Sequence, residues 1–442
     1  MAAAPVGEQQ CSSTRRSPVG RDEPVLLDWL LIGGGIHGVH VAVRLLAEAG
    51  VPRERLRLVD PSPRLLARWR TSTEATGMAY LRSPSVHHLD VAPYSLDRFA
   101  GKRKDRDPAL FTAPYDRPAL ALFNAHCDHV IDSLQLEELH VRDRASRCVV
   151  SEDRAVVRLE GGDELVARNV VLALGQSEQP CWPSWAPREH PLIRHLFHPS
   201  GAVEPSVEGS TVAVVGGGIS AAQIAVRLGA HGHHVLLVSR HKLRKHQFDA
   251  DPGWLGPKHM ADFLRVRSLK ERRAIIERER HRGSLPPDTR GALRRSIEKG
   301  RVTWHEAEVE ALADAEGRLR LDLSTGETID ADRLLLATGF ASERPGGAMV
   351  DELVEAAALP CADCGYPVVD AALRWHPRVR VTGPLAELEL GPVARTIAGA
   401  RRAADRIVDT VLDDASPASC SDGCPWDELA REVTDVPGSA SR

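Results

Sequence analysis

Two short glycine-rich stretches of this sequence have the spacing of a turn that holds a phosphate group. The first, GGGIHG at residues 33–38, follows the apolar stretch WLLI and precedes an apolar helical run. The second, GGGISA at residues 216–221, has the same setting after an apolar stretch at 212–215. In such a unit the glycines allow a tight turn and a close approach of a pyrophosphate, and the helix N-terminus supplies unpaired N–H groups. The residues expected to contact a dinucleotide in these turns are Gly33, Gly35, Ile36, His37, Gly38, Gly216, Gly218, Ile219, Ser220 and Ala221.

The residues that follow the second strand of each unit distinguish the two turns. Asp60 ends the strand at 56–59, and its carboxylate can accept hydrogen bonds from a ribose while repelling a 2′-phosphate. Arg240 ends the strand at 235–238, where its planar cation suits a 2′-phosphate. We therefore expect FAD at the first turn and NADPH at the second, with hydride passing between them. The alternatives are a bare structural turn at the first position and a solvated basic loop around Arg240.

Further glycines end apolar strands in ways that return the chain to a bound cofactor. The stretches ARNVVLALG (167–175) and DADRLLLATGF (330–340) each end on a small residue and glycine. A loop near residues 383–391 precedes a long amphipathic helix, which we expect to begin at Pro392. Its N-terminus can face an electron-rich cofactor end, and a packed C-terminal cap is the alternative. The additional cofactor-binding candidates are Gly175, Thr338, Gly339, Gly383 and Gly391.

These patterns predict an α/β protein with two Rossmann-like dinucleotide-binding domains. The FAD domain is expected to use residues 25–185 and 330–415, and the NADPH domain, 205–329, is inserted into it. Residues 1–24 and 416–442 are rich in small and polar residues, so we expect both ends to be disordered.

Composition excludes several classes of protein. The 442 residues carry a net charge of −4, which favours neither nucleic acid nor an anionic membrane as a partner. No long apolar run or secretory signal is present, so a cytoplasmic location is expected. Eight cysteines are scattered through the chain. Cys361/Cys364 and Cys420/Cys424 have spacings close to those of a zinc site, but free thiols are the favoured interpretation and no metal is predicted.

With these motifs, the sequence resembles the class B flavin-dependent monooxygenases, and within them the amino-acid and amine N-hydroxylases of the siderophore type. The stretch from Asp332 to Gly339 fits the family pattern D-x-x-x-L-A-T-G-Y, with Phe340 in place of tyrosine. His198 matches a linker histidine common in that family. In GMAYLRSPS, Arg82 takes the place of a substrate-contacting lysine and Gly77 that of a glutamine near the flavin, which puts an amino-acid substrate in doubt.

The resemblance implies a mechanism in which NADPH reduces the flavin and oxygen adds to it as a C4a-hydroperoxide. The distal oxygen then passes to a small-molecule nucleophile, so N-hydroxylation of an amine or amino acid is expected. Arg82, Ser83 and His198 are the candidate catalytic residues. His87 and His88 are further polar candidates near the flavin, with a packing role as the alternative. The partners expected are a small-molecule substrate and molecular oxygen, and a homo-oligomer is left open.

Three other functions use the same pair of turns. A disulfide reductase needs a redox cysteine pair near either turn, yet no cysteine lies between Cys11 and Cys127 or between Cys181 and Cys361. An NADPH oxidoreductase that passes electrons to a small acceptor without oxygenation is the main alternative. A nucleotide sensor is less favoured, because it has no evident need for both cofactors.

Overall fold

The computed structural model describes residues 25–198, 209–315 and 317–415. The predictions for residues 1–24 and 416–442, and for Cys420 and Cys424, lie outside these ranges. The strands are β1 (Leu26–Ile32), β2 (Leu56–Val59), β3 (Phe111–Thr112), β4 (Arg117–Pro118), β5 (His140–Val141), β6 (Ala145–Val150), β7 (Ala155–Leu159), β8 (Glu164–Leu172), β9 (Ile193–His195), β10 (Thr211–Val215), β11 (His234–Ser239), β12 (Arg244–Lys245), β13 (Ser284–Leu285), β14 (Val302–Glu306), β15 (Val309–Ala315), β16 (Arg318–Leu323), β17 (Thr328–Ala331), β18 (Arg333–Leu336), β19 (Arg374–His376) and β20 (Val379–Val381). The helices are α1 (Ile36–Ala47), α2 (Ala67–Thr76), α3 (Ser95–Phe99), α4 (Leu120–Ser133), α5 (Ile219–Ala230), α6 (Pro257–Arg265), α7 (Leu269–Glu279), α8 (Pro287–Glu298), α9 (Gly347–Ala356), α10 (Glu387–Leu390) and α11 (Ile397–Ala415).

The first unit is built on an eight-stranded sheet in the order β19-β20-β8-β1-β2-β5, with β7 and β6 continuing from β8. β1 pairs in parallel with both β2 and β8. Alternate side chains of β1 enter two cores: Trp29 and Leu31 pack towards α1, α4 and α11, and Leu30 and Ile32 pack towards α9. A strand buried on both faces has to be apolar throughout, which is why the WLLI stretch precedes the first glycine turn.

The second unit contains a five-stranded parallel sheet in the order β14-β11-β10-β18-β9. Val212 and Val214 of β10 face a core shared with α5 and α8, and Ala213 faces the antiparallel sheet of β15, β16 and β17. The fold is therefore α/β with two Rossmann-like sheets, as the sequence predicts.

The stretch DRLLLATGF lies in the second sheet rather than the first. β18 pairs in parallel with β10, with Val212 opposite Arg333, and β9 adds to the outer edge of β18. Residues 330–336, which sequence analysis assigns to the FAD domain, therefore complete the second sheet, because the edge of β10 accepts a buried apolar strand. We place the boundary between the two units after β18.

The C-terminal helix and the loop before α6 are two further local features of the fold. The C-terminal helix α11 begins at Ile397, since Gly391–Val393 form a 3₁₀ turn in place of the helical start predicted at Pro392. The loop before α6 is packed, with Trp254 and Phe263 buried together. Among the described helices, none combines the length and apolarity that a membrane crossing requires.

Several histidines are buried in the first unit. His40, His88 and His126 are fully buried, and the rings of His88 and His126 lie edge to face with centroids 5.2 Å apart. His40 Nδ1 is hydrogen-bonded to the carbonyl of Leu89 at 2.7 Å. Burial lowers the pKa of His40 to about 3 and the pKa values of His87 and His126 to about 4. These imidazoles are therefore neutral in the folded protein at pH 7.

We expect acid to destabilise the protein through these histidines. Their folded pKa values lie below the unfolded value of 6.5, so the unfolded chain binds more protons as the pH falls from 6.5 towards 4. The contribution of these histidines to the unfolding free energy is therefore fully present above pH 6.5. It is lost as the pH falls through this window, by up to about 1.4 kcal/mol per pH unit for each group. Urea unfolding of wild type and His126→Gln tests this. The variant keeps a polar partner for Ser95. Its unfolding free energy is expected to change less steeply with pH between 6.5 and 4 than that of wild type. An equal dependence on pH would contradict the role given to His126.

Candidate dinucleotide-binding and active site

The first glycine turn has the geometry that its sequence predicts. A Cβ at Gly33, whose φ is +118°, would lie 2.5 Å from the carbonyl oxygen of Ala173. A Cβ at Gly38 would lie 1.8 Å from the carbonyl oxygen of Gly33, so only glycine lets α1 pack this closely on β1. At Gly35, by contrast, a Cβ would meet no described atom within 4 Å. Gly33 and Gly38 thus serve the turn itself, and Gly35 faces open space in which a pyrophosphate fits.

Both glycine turns leave the start of a helix available to a phosphate. α1 begins at Ile36 after Gly35, and α5 begins at Ile219 after Gly218. Within the described chain no side chain caps either helix N-terminus. Unpaired N–H groups at a helix N-terminus form an anion site, because they add to the positive end of the helix dipole. Ile36 and Ile219 lie at these starts, with His37 and Ser220 in the following positions.

Asp60 lies where the first turn and the second strand meet. Its carboxylate accepts hydrogen bonds from the backbone N–H of Gly34 at 2.7 Å and of Ser62 at 2.9 Å. These contacts fix the carboxylate beside the glycine turn at the end of β2, which is the position from which it can bind a ribose hydroxyl.

His37 joins the first turn to the C-terminal segment of the same unit. Its Nδ1 is hydrogen-bonded to the hydroxyl of Thr382 at 2.8 Å, and a Cβ at Gly383 would lie 3.6 Å from its ring. Burial lowers the pKa of His37 to about 4, so the ring is neutral. The backbone of Thr396 also interacts with the ring and opposes part of this shift. His37 thus ties the first glycine turn to the segment that follows β20.

The second glycine turn differs from the first in having a neighbour at its middle glycine. A Cβ at Gly216 would lie 2.4 Å from the carbonyl oxygen of Ala337 and 3.2 Å from the Cβ of Ala221. A Cβ at Gly218 would lie 3.5 Å from the Cα of Gly283, so the loop after α7 faces this turn. Arg240 follows β11 and is exposed to solvent, as a residue that receives a 2′-phosphate has to be.

The residues after β18 tie the connection between the units to the second sheet. The Thr338 hydroxyl donates to the carbonyl of Cys181 at 2.5 Å, and His195 Nε2 lies 3.2 Å from the same hydroxyl. The carbonyl of Gly339 accepts from the N–H of Cys181 at 2.9 Å. Thr338 and Gly339 therefore hold the crossing chain, and their predicted contact with a cofactor stays a prediction. Gly175, at the end of β8, is exposed.

Arg82 lies between the two units. Its guanidinium donates to the carbonyls of His246, Gln247 and Phe248 at 2.8 Å each, to Asp249 at 2.6 Å and to the Ser284 hydroxyl at 2.8 Å. All three nitrogens are used in these contacts. The structure therefore places Arg82 as the anchor of a loop of the second unit, and its predicted role towards the substrate is untested.

The other two catalytic candidates lie apart from each other. Ser83 is half-buried next to Arg82. His198 is exposed and follows β9, with its N–H bonded to the carbonyl of His195 at 2.9 Å. Gly391, a cofactor-binding candidate, faces the second unit: a Cβ there would lie 3.2 Å from the sulfur of Met260 and 3.6 Å from Trp254.

A buried charge cluster at the joint between the units has no signature in the sequence. Glu387 is 1% exposed and binds Arg273 of α7, and Arg395 donates to it through two nitrogens at 2.7 and 2.8 Å. Arg395 also donates to the Tyr366 hydroxyl at 3.0 Å. These guanidiniums hold the pKa of Glu387 below its usual range against the effect of burial. In the sequence each of these residues looks like an ordinary charge on a helix or loop.

Comparisons with known proteins bear on this geometry. A family model described as FAD-NAD(P)-binding matches residues 30–177, and a model described as L-lysine 6-monooxygenase/L-ornithine 5-monooxygenase matches residues 122–282. Together they span more than half of the chain. The second match makes the chain similar to the flavin-dependent lysine and ornithine monooxygenases, which is the resemblance that the sequence predicts. FAD and NADPH are its cofactors. No curated protein matches the sequence significantly.

Solved structures of similar fold are N-hydroxylases among others. The cadaverine monooxygenase DfoA of Erwinia amylovora shares 15% identity, with 90% of this chain and 97% of that chain covered and a TM-score of 0.68. The ornithine hydroxylase PvdA of Pseudomonas aeruginosa shares 17% identity over 89% and 100% of the two chains, with a TM-score of 0.67. The ornithine N-hydroxylase KtzI of Kutzneria sp. 744 shares 16% identity over 89% and 100%, with a TM-score of 0.68. At 15–17% identity, these similarities establish the fold of this chain.

Two glycine substitutions separate folding from FAD binding. Gly38→Ala is expected to destabilise the protein by about 1–3 kcal/mol or more, because its Cβ collides with the Gly33 carbonyl. Gly35→Ala is expected to leave the FAD-free protein within about 1 kcal/mol of wild type, since Gly35 has φ −81° and ψ −172°, which alanine adopts. It is nevertheless expected to weaken FAD binding, because the added methyl projects towards the pyrophosphate. Urea unfolding and flavin titration of both apoproteins measure the two effects, and equal FAD affinity of Gly35→Ala and wild type would contradict the placement.

Arg240→Ala tests the second site. The KM for NADPH is expected to rise about 10- to 100-fold, because a charge-assisted hydrogen bond to a phosphate contributes about 1.5–3 kcal/mol, while the KM for NADH stays unchanged. Arg294→Ala, which removes an exposed cation from α8, is the control for a general loss of positive charge. An equal rise in both KM values would show that Arg240 does not read the 2′-phosphate.

Proposed function

We propose that this monooxygenase N-hydroxylates a small primary amine, with NADPH and molecular oxygen as co-substrates. The match of residues 122–282 to the lysine and ornithine monooxygenase model is the observation that carries this proposal. That match runs from α4 across the joint between the units and through α7. The enzymes of similar fold include a cadaverine monooxygenase and an ornithine hydroxylase, and the same class of nucleophile is proposed here. The cytoplasmic location and a homo-oligomeric state stay predictions.

The chain's own contribution is to bind and orient the cofactors. Residues of the first glycine turn with Asp60 would hold FAD, and the second turn with Arg240 would hold NADPH. Bound FAD supplies the redox chemistry, since it accepts hydride and activates oxygen. The protein in turn fixes the separation of the two dinucleotides and limits the access of water to the space between them.

The contacts of Arg82 favour an amine over an amino acid. In an N-hydroxylase-like site, a cation at this place is available to a substrate carboxylate only if its donors are free. Here the guanidinium is already bound to three carbonyls, to Asp249 and to Ser284. A carboxylate at this place would have to displace these partners, and hydrogen bonds to charged groups contribute about 1.5–3 kcal/mol each. We infer that Arg82 positions the loop at 246–249 and that the substrate needs no carboxylate partner at this place.

A substrate panel tests this proposal. Purified enzyme with FAD and NADPH is given cadaverine, putrescine, L-lysine and L-ornithine, and the hydroxylamine formed is measured against the NADPH consumed. We expect kcat/KM for the diamines to exceed that for the amino acids by about tenfold or more, because a carboxylate without a charged partner loses about 1.5–3 kcal/mol.

The controls distinguish the possible failures. Amino acids preferred over diamines would overturn the inference from Arg82 but would keep N-hydroxylation. NADPH oxidation that stays uncoupled from any hydroxylamine, whichever amine is added, would support the oxidoreductase alternative. Arg82→Lys keeps the charge but not the planar set of donors, so it is expected to lower kcat and coupling while leaving the order of substrate preference unchanged.

A further inference from the structure

Two cysteines lie on a tight hairpin that the monooxygenase reaction does not use. Residues 361–367 form this hairpin, with Cys361 bridged to Pro367. The N–H of Ala362 donates to the carbonyl of Tyr366 at 2.9 Å, and the N–H of Gly365 donates to the carbonyl of Ala362 at 2.7 Å. Gly365 has φ +78°, which glycine adopts without strain. Cys361 and Cys364 are therefore held on one short turn in a Cys-x-x-Cys arrangement.

This hairpin is fixed at the joint between the two units. Tyr366 is 2% exposed, and its hydroxyl donates to the carbonyl of Ser342 at 2.9 Å while accepting from Arg395 at 3.0 Å. On the other side, the guanidinium of Arg273 of α7 lies 4.1 Å from the centre of the Tyr366 ring. The backbone that carries both cysteines therefore has a defined position between the C-terminal segment and α7.

The surroundings of the two thiols differ from those of the other described cysteines. Cys364 is exposed and lies near the Arg273 guanidinium, and Cys361 is half-buried, with burial raising the pKa of its thiol although Arg344 opposes this shift. Exposure makes the Cys364 sulfur accessible to an oxidant, and the thiolate is the reactive form of cysteine. Cys127 and Cys148, by contrast, are buried, and burial raises the pKa of the Cys148 thiol to about 12.

A metal is the other ligand that a Cys-x-x-Cys hairpin suggests. A structural zinc site takes four ligands, and two thiolates supply half of them. Within the residues that the structure describes, no group of three or more His, Cys, Asp or Glu side chains is placed to hold a metal ion. Redox chemistry between the two thiols needs no further ligand.

We propose that Cys361 and Cys364 are a redox modification site, in which a hydroperoxide converts the two thiols reversibly into a disulfide. The Cys364 thiolate attacks one oxygen of hydrogen peroxide, the O–O bond breaks, and a sulfenic acid and hydroxide result. The hydroxide takes up a proton equivalent to the one that the Cys364 thiol released and becomes water. The Cys361 thiol then attacks the sulfenic sulfur, the S–S bond forms, and the hydroxyl leaves with the Cys361 proton as a second water. Two sulfur atoms lose two electrons in total and the peroxide gains them. Reduced flavin that meets oxygen without a substrate is a source of this oxidant.

The disulfide changes the contact at the joint. A disulfide sulfur carries no charge, so oxidation removes any thiolate charge of Cys364 near Arg273, which retains Glu387 and the Tyr366 ring as partners. The hairpin contacts α7 of the second unit through Tyr366 and Arg273, so oxidation of the hairpin takes place next to that helix.

Differential alkylation of the full-length holoenzyme tests the proposal. The protein is reduced with dithiothreitol, freed of it, exposed to a small excess of hydrogen peroxide, blocked with N-ethylmaleimide and mapped by mass spectrometry. We expect the peptide with Cys361 and Cys364 to lose two hydrogen atoms and to escape alkylation, and we expect dithiothreitol to restore its labelling. Exposed Cys181 is the internal control, and it is expected to form no disulfide within the chain.

Serine variants complete the test. In Cys364→Ser and in Cys361→Ser, the remaining thiol of the pair is expected to stay free of an intramolecular disulfide, while Cys181→Ser leaves the pair unaffected. Urea unfolding midpoints equal to wild type show that the variants are folded. Full alkylation of Cys361 and Cys364 after peroxide, pairing of either with Cys420 or Cys424, or stoichiometric zinc that is lost in both variants would each overturn the proposal.

Discussion

The half-buried guanidinium of Arg82 is a contact on which the relative position of the two units depends. It comes from the first unit, and its partners are the backbone at 246–248, Asp249 and Ser284 of the second unit. Any sliding of one unit against the other would break these charge-assisted hydrogen bonds together. Hydride transfer is sensitive to displacements of about 1 Å. Hydrogen bonds require defined distances and angles, so they hold the two units in one position, whereas an apolar contact would tolerate sliding.

The two glycine turns share a backbone design and differ in what surrounds it. Gly35 faces open space and lies beside a carboxylate that backbone amides hold in place. Gly218 is faced by the loop of Gly283, and the cation that follows its second strand is exposed. An open turn with a fixed polar partner suits a group that stays bound throughout the reaction. A covered turn with a solvent-accessible cation suits one that arrives, gives up a hydride and leaves, which is the division of labour expected of FAD and NADPH in a monooxygenase.

The features that the sequence predicts are those decided within about thirty residues. The turns at 33–38 and 216–221 and Asp60 are recognised from a local pattern of strand, glycines and helix. The Cβ collision at Gly38 is also local, whereas those at Gly33 and Gly216 are with the distant residues Ala173 and Ala337. The pairing of β18 with β10 joins Arg333 to Val212, and the partners of Arg82 lie 164–202 residues away along the chain. No local sequence pattern predicts the pairing of β18 or the partners of Arg82. The strand β18 is apolar enough to fit either sheet, and an arginine in a loop is usually expected to be exposed to solvent. The start of α11 was misplaced for a local reason, because the proline at 392 suits a 3₁₀ turn as well as a helix.

The segment after β20 links the parts of the molecule that have to act together. Gly383 lies against His37 of the first glycine turn, and Gly391 lies against Trp254 and Met260 of the second unit. Between these glycines, Glu387 binds Arg273 of α7 and Arg395. One short piece of backbone contacts the first glycine turn at one end and the second unit at the other, so it cannot shift at one end without disturbing the other. The buried Glu387 with its two cations fixes this segment in place between them.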